Sequence, residues 1–469
     1  MTKEILSRSI DAFISRNKEA IIQDIGTLVA IESVRSEPAE GAPYGVGPRA
    51  ALDAICAMAE RMGLPSGNYG DRVGYAELAG ESPQYIASFS HLDIVPPGNG
   101  WKASPYQLRN IDGWLLARGV SDDKAASVLC LYLLKFFQEE GVKFPYTVRA
   151  LFGTDEECGM SDADYYLAHY EPPVFLFTPD GSFPAVCGEK GIFQGDLVSK
   201  EITDGRIVDF HSGSASNVIP DKAYLTIKKG DYQLKPDDHI QVTDEGEVYS
   251  LVASGKCGHA AYPEGGDNAI ARMVRYVLDN DMLQGDEKDF FLLLDDLHRD
   301  HGGKYLGIAC SDDRFTPLTC SGDIVSRKDN RLIQNFDIRY PASITDSWLA
   351  EQIREKLRPV GGELVVRMVD QGFCMDADSP EMKALQDAYS AVTGKPGTPR
   401  TIGGGSYARK FKNAAAFGIG PETKADFPAF VGGGHGAEEG LHTHHILDAL
   451  KIMILAVDNL QDALSGEAR

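Results

Sequence analysis

Three segments of this sequence share one pattern, in which a run of apolar residues stops just before histidine or acidic side chains. They are residues 85–89 before His91, residues 147–153 before the triplet Asp155, Glu156 and Glu157, and residues 174–178 before Asp180. Apolar runs of this length are typical of buried strands, and open α/β sheets carry their functional groups beyond the carboxyl ends of the strands. The pattern therefore predicts an α/β fold with one site along that edge of the sheet.

His91 and Asp93 are two residues apart at the end of the first predicted strand. Residues with this spacing point to the same face of a strand, so the His91 imidazole can bind a metal while Asp93 orients it from behind. A histidine and an aspartate in this spacing are equally compatible with a structural role. The metal interpretation therefore depends on the other polar groups along the chain.

Asp122 and Asp123 precede a strongly apolar segment, residues 125–137, which predicts a buried helix closed by Gly141. The helix dipole favours carboxylates at a helix N-terminus, and capping would account for one of the two. Two in succession, followed by Lys124, are more than capping needs. Asp122 therefore counts among the candidate metal ligands.

The composition is that of a soluble globular protein, with 43% hydrophobic and 25% charged residues. A net charge of −23 without a basic stripe argues against a nucleic-acid partner, and we interpret the acidity as a solvated surface. No run approaches the roughly 20 apolar residues of a membrane span, and there is no signal-peptide core, so we expect a cytoplasmic protein. The eight cysteines include no C-x-x-C pair and are expected to be reduced thiols rather than a zinc cage.

The order of the predicted elements divides the chain into three stretches. Residues 1–184 have the α/β pattern, residues 185–378 mix strands and helices in an α+β order, and residues 379–469 return to the α/β pattern. An insert of roughly 190 residues is large enough to be a separate domain. We therefore predict a discontinuous α/β domain, 1–184 and 379–469, with an inserted α+β domain at 185–378.

Five side chains on loops beyond predicted strands or at a helix start could bind metal ions together: His91, Asp122, Glu157, Asp180 and His435. Two imidazoles and three carboxylates suit zinc, with manganese or cobalt as alternatives. Converging carboxylates repel one another unless cations are present, which favours two metal ions bridged by one carboxylate. Glu156 would then serve as a general base that takes a proton from the water between the metals and passes it to a leaving amine.

The order of these motifs resembles the dinuclear zinc exopeptidase family that includes aminoacylase, carnosinase and PepV-type dipeptidases. The motifs are His91-x-Asp93, Gly119-x-x-Asp122-Asp-Lys, Asp155-Glu-Glu, Thr178-Pro-Asp180 and the late His435-x-x-x-Glu439. The resemblance is strongest to the PepV type, because residues 217–223, 402–405 and 407–409 are also similar to its motifs. It extends from about residue 10 to residue 460, and the motifs in order are far more specific than any one of them.

The resemblance implies a three-layer catalytic domain, a ferredoxin-like α+β lid that corresponds to the insert, and a dipeptidase acting on short peptides with a free C-terminal carboxylate. It implies that His91 and Asp180 hold one zinc ion, that Glu157 and His435 hold the other, and that Asp122 bridges them. Asp93 would orient His91, and Glu156 would activate the water. The implied substrate contacts are His259 to the oxyanion, Arg339 to the terminal carboxylate, and Asn217, Gly403, Gly404, Gly405 and Ser406 to the rest of the peptide.

Several alternatives stay open at this point. Arg339 could form a structural ion pair, and His259 could be a histidine of a turn. His435 has the better spacing to Glu439 for the last ligand, with His442 as the alternative.

The function has two alternatives as well. An N-acyl-amino-acid deacylase would use the same metals and the same base. A catalytically silent binding homologue is the third reading, and the presence of Glu156 with all five candidate ligands argues against it. The long insert resembles that of the PepV type, which supplies the lid histidine within one chain, so we predict a monomer. Light scattering would test this, and a stable dimer would contradict it.

Overall fold

The computed structural model of the protein describes residues 3–213, 218–259, 263–420 and 427–466. The described residues form two compact units. The first lies within Met1–Cys187, Met375–Arg400 and Gly405–Arg469, and the second comprises Gly188–Cys374 and Thr401–Gly404. The sequence predicted an inserted domain at residues 185–378, and the main segment of the second unit is residues 188–374. Residues 401–404 also belong to the second unit.

Up to residue 189, helices and strands are interspersed. The helices are α1 (Lys3–Val29), α2 (Val46–Arg61), α3 (Lys124–Glu140) and α4 (Ser161–His169). The strands are β1 (Ser66–Tyr69), β2 (Val73–Leu78), β3 (Ser82–His91), β4 (Arg109–Ile111), β5 (Trp114–Leu116), β6 (Tyr146–Gly153), β7 (Phe175–Thr178) and β8 (Val186–Glu189).

The middle of the chain is richer in strands. They are β9 (Gly191–Val198), β10 (Ile207–Ser212), β11 (Val218–Ile219), β12 (Lys222–Lys228), β13 (Ile240–Asp244), β14 (Val248–Ser254), β15 (Gly258–His259), β16 (Thr319–Ser321), β17 (Val325–Lys328), β18 (Arg331–Tyr340), β19 (Glu363–Asp370) and β20 (Phe373–Cys374). The helices are α5 (Ala269–Asp279), α6 (Gly285–His298) and α7 (Asp346–Leu357).

The last stretch contains two long helices and three short strands. They are α8 (Pro380–Thr393), β21 (Arg400–Ile402), β22 (Ala414–Ala416), β23 (Gly440–His442) and α9 (Thr443–Ser465). Short 3₁₀ turns occur at Pro263–Gly265, Arg358–Val360 and Tyr407–Lys410.

The sheet of the first unit places four parallel strands side by side, in the order β6-β3-β7-β22. β2 and then β1 extend it antiparallel beyond β6, and β8 pairs antiparallel with β22. In the register of β3 and β6, His91 lies opposite Gly153, so both strands end at the same level. Because parallel strands present their carboxyl ends at one edge, the segments that follow β3, β6 and β7 all start there.

Helix α3 lies in the core of this unit. Every residue from Lys124 to Leu134 is buried, and a helix that is buried all round is expected to be apolar all round, as this one nearly is. Phe136 contacts Phe13 of α1 edge-on, with ring centroids 5.4 Å apart. Gly141 ends the helix with a φ of 64°, the left-handed conformation that glycine adopts without strain, as the sequence predicted.

The second unit is built on an antiparallel sheet in the order β13-β14-β12-β10-β17-β18-β9-β19, with β16 beside β18. Helices α5, α6 and α7 contribute to a core separate from that of the first unit. A mixed α/β sheet and a separate antiparallel sheet with helices are the predicted fold class, which is confirmed. Among the described residues, no helix combines the length and the apolar character that a membrane crossing requires.

The glycine-rich turn at residues 403–405 is followed by the 3₁₀ turn Tyr407–Lys410. The segment must reach the first residue of β22, Ala414, within a few residues, which leaves no room for a longer helix. Ser406 caps the turn, because its side chain accepts a hydrogen bond from the Ala408 amide.

Candidate metal centre

All five candidate ligands belong to the first unit and lie beyond strand ends or before a helix. His91 is the last residue of β3, and Glu157 and Asp180 follow β6 and β7 within a few residues. Asp122 precedes α3, and His435 lies in the segment between β22 and β23. The parallel order of β6, β3 and β7 thus brings three of these segments to one edge of the sheet.

Asp122 lies at the middle of a continuous series of contacts. Its Oδ1 is 2.9 Å from Nε2 of His91, and its Oδ2 is 3.1 Å from Nε2 of His435. His435 Nε2 is in turn 3.0 Å from Glu157 Oε1, and His91 Nε2 is 3.8 Å from Asp180 Oδ2. The two carboxylate oxygens of Asp122 therefore face two different imidazoles, each with a further carboxylate.

The donor atoms form two overlapping groups, each with members within 4.8 Å of one another. One group is His91, Asp122 and Glu157, and the other is His91, Asp180 and Glu156. Imidazole nitrogens and carboxylate oxygens at this spacing are the donor set that borderline divalent metals prefer. The residues therefore fit metal ions, and Glu156 is close enough to share in the second group.

Neighbouring carboxylates raise the pKa of both histidines of the centre. Burial alone would lower the pKa of His91, but hydrogen bonds with Asp122 and Asp93 raise it well above its usual value. Hydrogen bonds with Asp122 and Glu157 raise the pKa of His435 to about 11. Both pKa values rise because the crowded carboxylates favour positive charge beside them, and metal cations bound here would supply that charge.

Asp93 holds both His91 and the loop that carries the two glutamates. Nδ1 of His91 is 3.0 Å from the backbone oxygen of Asp93 and 3.6 Å from its carboxylate. The carboxylate oxygens accept hydrogen bonds from the amides of Glu156 and Glu157, at 3.2 and 3.1 Å. The sequence predicted that the Asp93 side chain orients the imidazole. In the structure the backbone carbonyl of Asp93 lies nearer to the imidazole than the carboxylate does.

Asp123 is the N-cap residue of α3, but its side chain makes no capping hydrogen bond. Its Oδ2 instead accepts a hydrogen bond from the backbone amide of His91, at 3.3 Å. Capping therefore accounts for neither of the two aspartates, because one faces the imidazoles and the other supports the end of β3.

Glu439, which the sequence indicated only as part of a motif, has a positioning role in the structure. Its Oε1 accepts hydrogen bonds from the amides of Gly119, Ser121 and Asp122, at 3.1, 2.8 and 3.1 Å. Its Oε2 forms an ion pair with Arg118, and both side chains are buried. Glu439 therefore holds the backbone of the loop that presents Asp122. Its position four residues after His435 was the signal in the sequence.

Replacing Glu439 with glutamine is expected to lower the free energy of unfolding by about 3 kcal/mol, because it leaves the buried Arg118 without its charged partner. Chemical denaturation of both proteins at the same metal content would measure this. Glu438→Gln is the matched control: Glu438 pairs with Arg109 and accepts a hydrogen bond from the Lys102 amide, but the Arg109 side chain is 19% exposed against 1% for Arg118. We expect a clearly smaller loss there, and equal losses would contradict the role of Glu439.

The predicted substrate residues are described to different extents. Asn217 lies outside the described residues, and His259 is placed by its backbone in β15, opposite Val218 of β11. Arg339 is buried, and its guanidinium donates to Asp337 Oδ1 and Oδ2 at 2.6 and 2.9 Å. The ion pair that the sequence left open for Arg339 is therefore present, and its contact with substrate stays a prediction.

The remaining predicted positions lie on the glycine-rich segment and near the last helix. Gly403 and Gly404 belong to the second unit, and Gly405 and Ser406 belong to the first. His442, the alternative last ligand, is the N-cap residue of α9, with its ring centroid 5.3 Å from that of Trp114. His435 contacts both Asp122 and Glu157, so the geometry favours it over His442 as the last ligand.

Comparisons with known proteins show which family the chain matches. A sequence profile described as Peptidase family M20/M25/M40 matches residues 87–459. The Beta-Ala-Xaa dipeptidase of Lactobacillus delbrueckii subsp. lactis is 30% identical over 429 residues, which cover 86% of this chain and 89% of the relative.

Solved structures show the same fold at low sequence identity. Human carnosine dipeptidase 1 superposes with a TM-score of 0.59 at 14% identity, covering 98% of this chain and 99% of that one. An M20 family metallo-carboxypeptidase from Sulfolobus solfataricus superposes with a TM-score of 0.57 at 16% identity, covering 94% and 99%. With the profile spanning most of its length, the chain belongs to the peptidase family M20/M25/M40 and is a metallopeptidase.

Proposed function

We propose that the protein is a dipeptidase that uses two zinc ions to hydrolyse short peptides with a free C-terminal carboxylate. The observation that carries the proposal is the contact series through Asp122, whose two oxygens face His91 and His435. A carboxylate with one oxygen towards each of two imidazoles is suited to bridge two cations. The names of the relatives support a peptide as the substrate.

The contacts suggest which residues would hold each ion. His91 and Asp180 would hold one, Glu157 and His435 would hold the other, and Asp122 would contribute an oxygen to each. When bound, the ions would polarise the scissile carbonyl and make the attacking water more acidic. Zinc fits the mixture of nitrogen and oxygen donors, and manganese and cobalt are the other candidates.

Glu156 would carry the proton transfers of the reaction. It would accept a proton from the attacking water and donate it to the leaving amine. Burial, followed by the nearby Asp180 carboxylate, raises the pKa of Glu156 well above its usual value, which is the direction a group needs to act as both base and acid near neutral pH. The Asp93 carboxylate fixes the amide of Glu156, so the backbone that carries this side chain is held in place.

The substrate would be held by the residues that the resemblance assigns. Arg339 would bind the terminal carboxylate, His259 would donate to the oxyanion, and Asn217 would contact the peptide. The backbone of residues 403–405, together with Ser406, would bind the remainder. Recognition of a free terminal carboxylate would then restrict the enzyme to substrates that carry one.

A substrate panel tests the proposal. The protein is stripped with a chelator, reloaded with zinc, manganese or cobalt, and assayed with α-linked dipeptides, β-alanyl dipeptides, tripeptides and N-acetyl amino acids. We expect hydrolysis of dipeptides at the highest kcat/KM, loss of turnover on chelation, and recovery on addition of metal.

Each alternative has its own outcome in the same panel. Faster turnover of N-acetyl amino acids than of any dipeptide would identify a deacylase and contradict the proposal. A protein that binds two ions but hydrolyses none of these compounds would be a silent homologue. Turnover that survives complete removal of metal would contradict the metal centre itself.

A further inference from the structure

Asp162, at the start of α4, binds the loop that leads to the proposed base. Its Oδ2 accepts hydrogen bonds from the backbone amides of Thr154 and Asp155, at 2.7 and 3.0 Å. Its Oδ1 accepts one from the amide of Ala163, at 2.8 Å. The side chain is completely buried, so water cannot replace these bonds. None of these three hydrogen bonds joins Asp162 to a candidate metal ligand.

Two carboxylates therefore share the backbone of one short loop. Asp162 accepts from the amides of residues 154 and 155, and Asp93 accepts from those of residues 156 and 157. Four consecutive amides thus donate hydrogen bonds to the oxygens of two buried carboxyl groups. A loop held in this way presents Glu156 and Glu157 in a fixed position.

Tyr407 connects Asp162 to the segment that follows the glycine-rich turn. The Tyr407 hydroxyl donates to Asp162 Oδ2 at 2.6 Å, and this side chain is also completely buried. Its ring stacks on Phe89 of β3, with centroids 3.9 Å apart and planes 13° apart. The hydroxyl therefore reaches Asp162 from a ring that is packed against the strand of His91.

Gly153 shows how tightly this contact is built. A Cβ atom at Gly153 would overlap the Tyr407 hydroxyl and lie 2.5 Å from Asp162 Oδ2. Only glycine leaves room for the hydroxyl and the carboxylate beside the last residue of β6. The backbone of β6 thus provides the space for the contact between Tyr407 and Asp162.

From these contacts we infer that Asp162 and Tyr407 are positioning residues, which hold the Thr154–Glu157 loop and join it to the segment after the glycine-rich turn. Asp162 acts on the loop directly, and the Tyr407 hydroxyl acts through Asp162. The inference rests on the proposed function, because it assigns to these residues the placement of the base, Glu156. Neither residue is assigned a substrate contact or a proton transfer.

The test compares Asp162→Asn and Tyr407→Phe with the control Tyr132→Phe. Tyr132 is matched to Tyr407, because its hydroxyl also donates to a buried aspartate, Asp24, at 2.9 Å, in a contact between α3 and α1. The first measurement is amide hydrogen exchange of the peptide that contains residues 154–157. We expect exchange about tenfold faster in Asp162→Asn, a smaller increase in Tyr407→Phe, and no change in the control.

The second measurement is steady-state kinetics at saturating zinc, with the preferred substrate of the parent protein. We expect kcat to fall about tenfold in Asp162→Asn and about fivefold in Tyr407→Phe, with KM within twofold of the parent. The double variant should have the kcat of Asp162→Asn, because the hydroxyl has no carboxylate left to act through. The control should keep the parental kcat.

Different outcomes separate the inference from the proposed function. If exchange of the loop is unchanged in both variants, or is faster while kcat stays at the parental value, the positioning role is overturned. If the two losses in kcat multiply in the double variant, Tyr407 does not act through Asp162. If the parent hydrolyses no substrate, the proposed function fails, and hydrogen exchange still decides whether Asp162 and Tyr407 hold the loop. Tyr407→Phe keeps the test valid if Asp162→Asn does not fold.

Discussion

Replacing Glu156 with glutamine is expected to lower kcat by about a thousandfold while the protein keeps its bound metal ions. Glutamine has nearly the same shape, but its amide cannot accept a proton from the attacking water or donate one to the leaving amine. Its backbone amide would still be held by Asp93, so the loop should not move. Steady-state kinetics and elemental analysis of metal per chain, on the same preparation, check both parts of the prediction.

Glu157→Gln is the matched control, because it makes the same change on the neighbouring residue of the same loop. Glu157 contacts His435 at 3.0 Å, so we expect this variant to lose metal together with activity. Glu156 also lies within ligand distance of His91 and Asp180. If Glu156→Gln loses metal as readily as Glu157→Gln, Glu156 is a ligand, and its assignment as the base is wrong.

Replacing Asp122 with asparagine is expected to reduce the bound metal from two ions per chain to one or none, with a loss of kcat of about a thousandfold. Both oxygens of Asp122 are engaged, one towards each imidazole. Asparagine retains a single oxygen and no negative charge, so it can serve one side of the centre at most. Metal analysis after gel filtration and the residual turnover with added zinc measure the two effects.

Asp123→Asn separates the role of Asp122 from that of any buried carboxylate at this turn. Asp123 is fully buried and bonds to the His91 backbone rather than to an imidazole. We therefore expect the Asp123 variant to bind both ions. Equal loss of metal in the two variants would show that the fold of the turn, and not a bridging carboxylate, is what the metal centre requires.

The metal centre was the part most open to prediction, because ligands are side chains of particular types at the ends of apolar runs. His91, Glu157 and Asp180 follow strands that the structure places side by side, and the register of β3 and β6 brings their ends level. His435 follows its preceding strand, β22, at a much greater distance along the chain than the other ligands follow theirs. Its contacts with Asp122 and Glu157 depend on a chain return that sequence spacing alone does not specify.

The residues that support the centre could not be predicted in the same way. Glu439 and Asp162 bind backbone amides, which every residue has, so no residue type marks their partners in the sequence. The ion pair of Arg339 was easier to predict from the sequence, because Asp337 lies two residues away on the same face of β18. The strands of the α/β core were predictable for a similar reason, since they are short apolar runs with clear ends.

Strand β22 has a consequence for synthesis of the protein. Its three alanines, 414–416, are completely buried, and they fill the place between β7 and β8, which precede them by more than two hundred residues. While the ribosome is still making the middle of the chain, β7, which carries the apolar residues Phe175, Leu176 and Phe177, has an open edge. An open apolar edge invites aggregation or chaperone binding until its partner arrives. Chains that stop before residue 414 should therefore accumulate as insoluble protein.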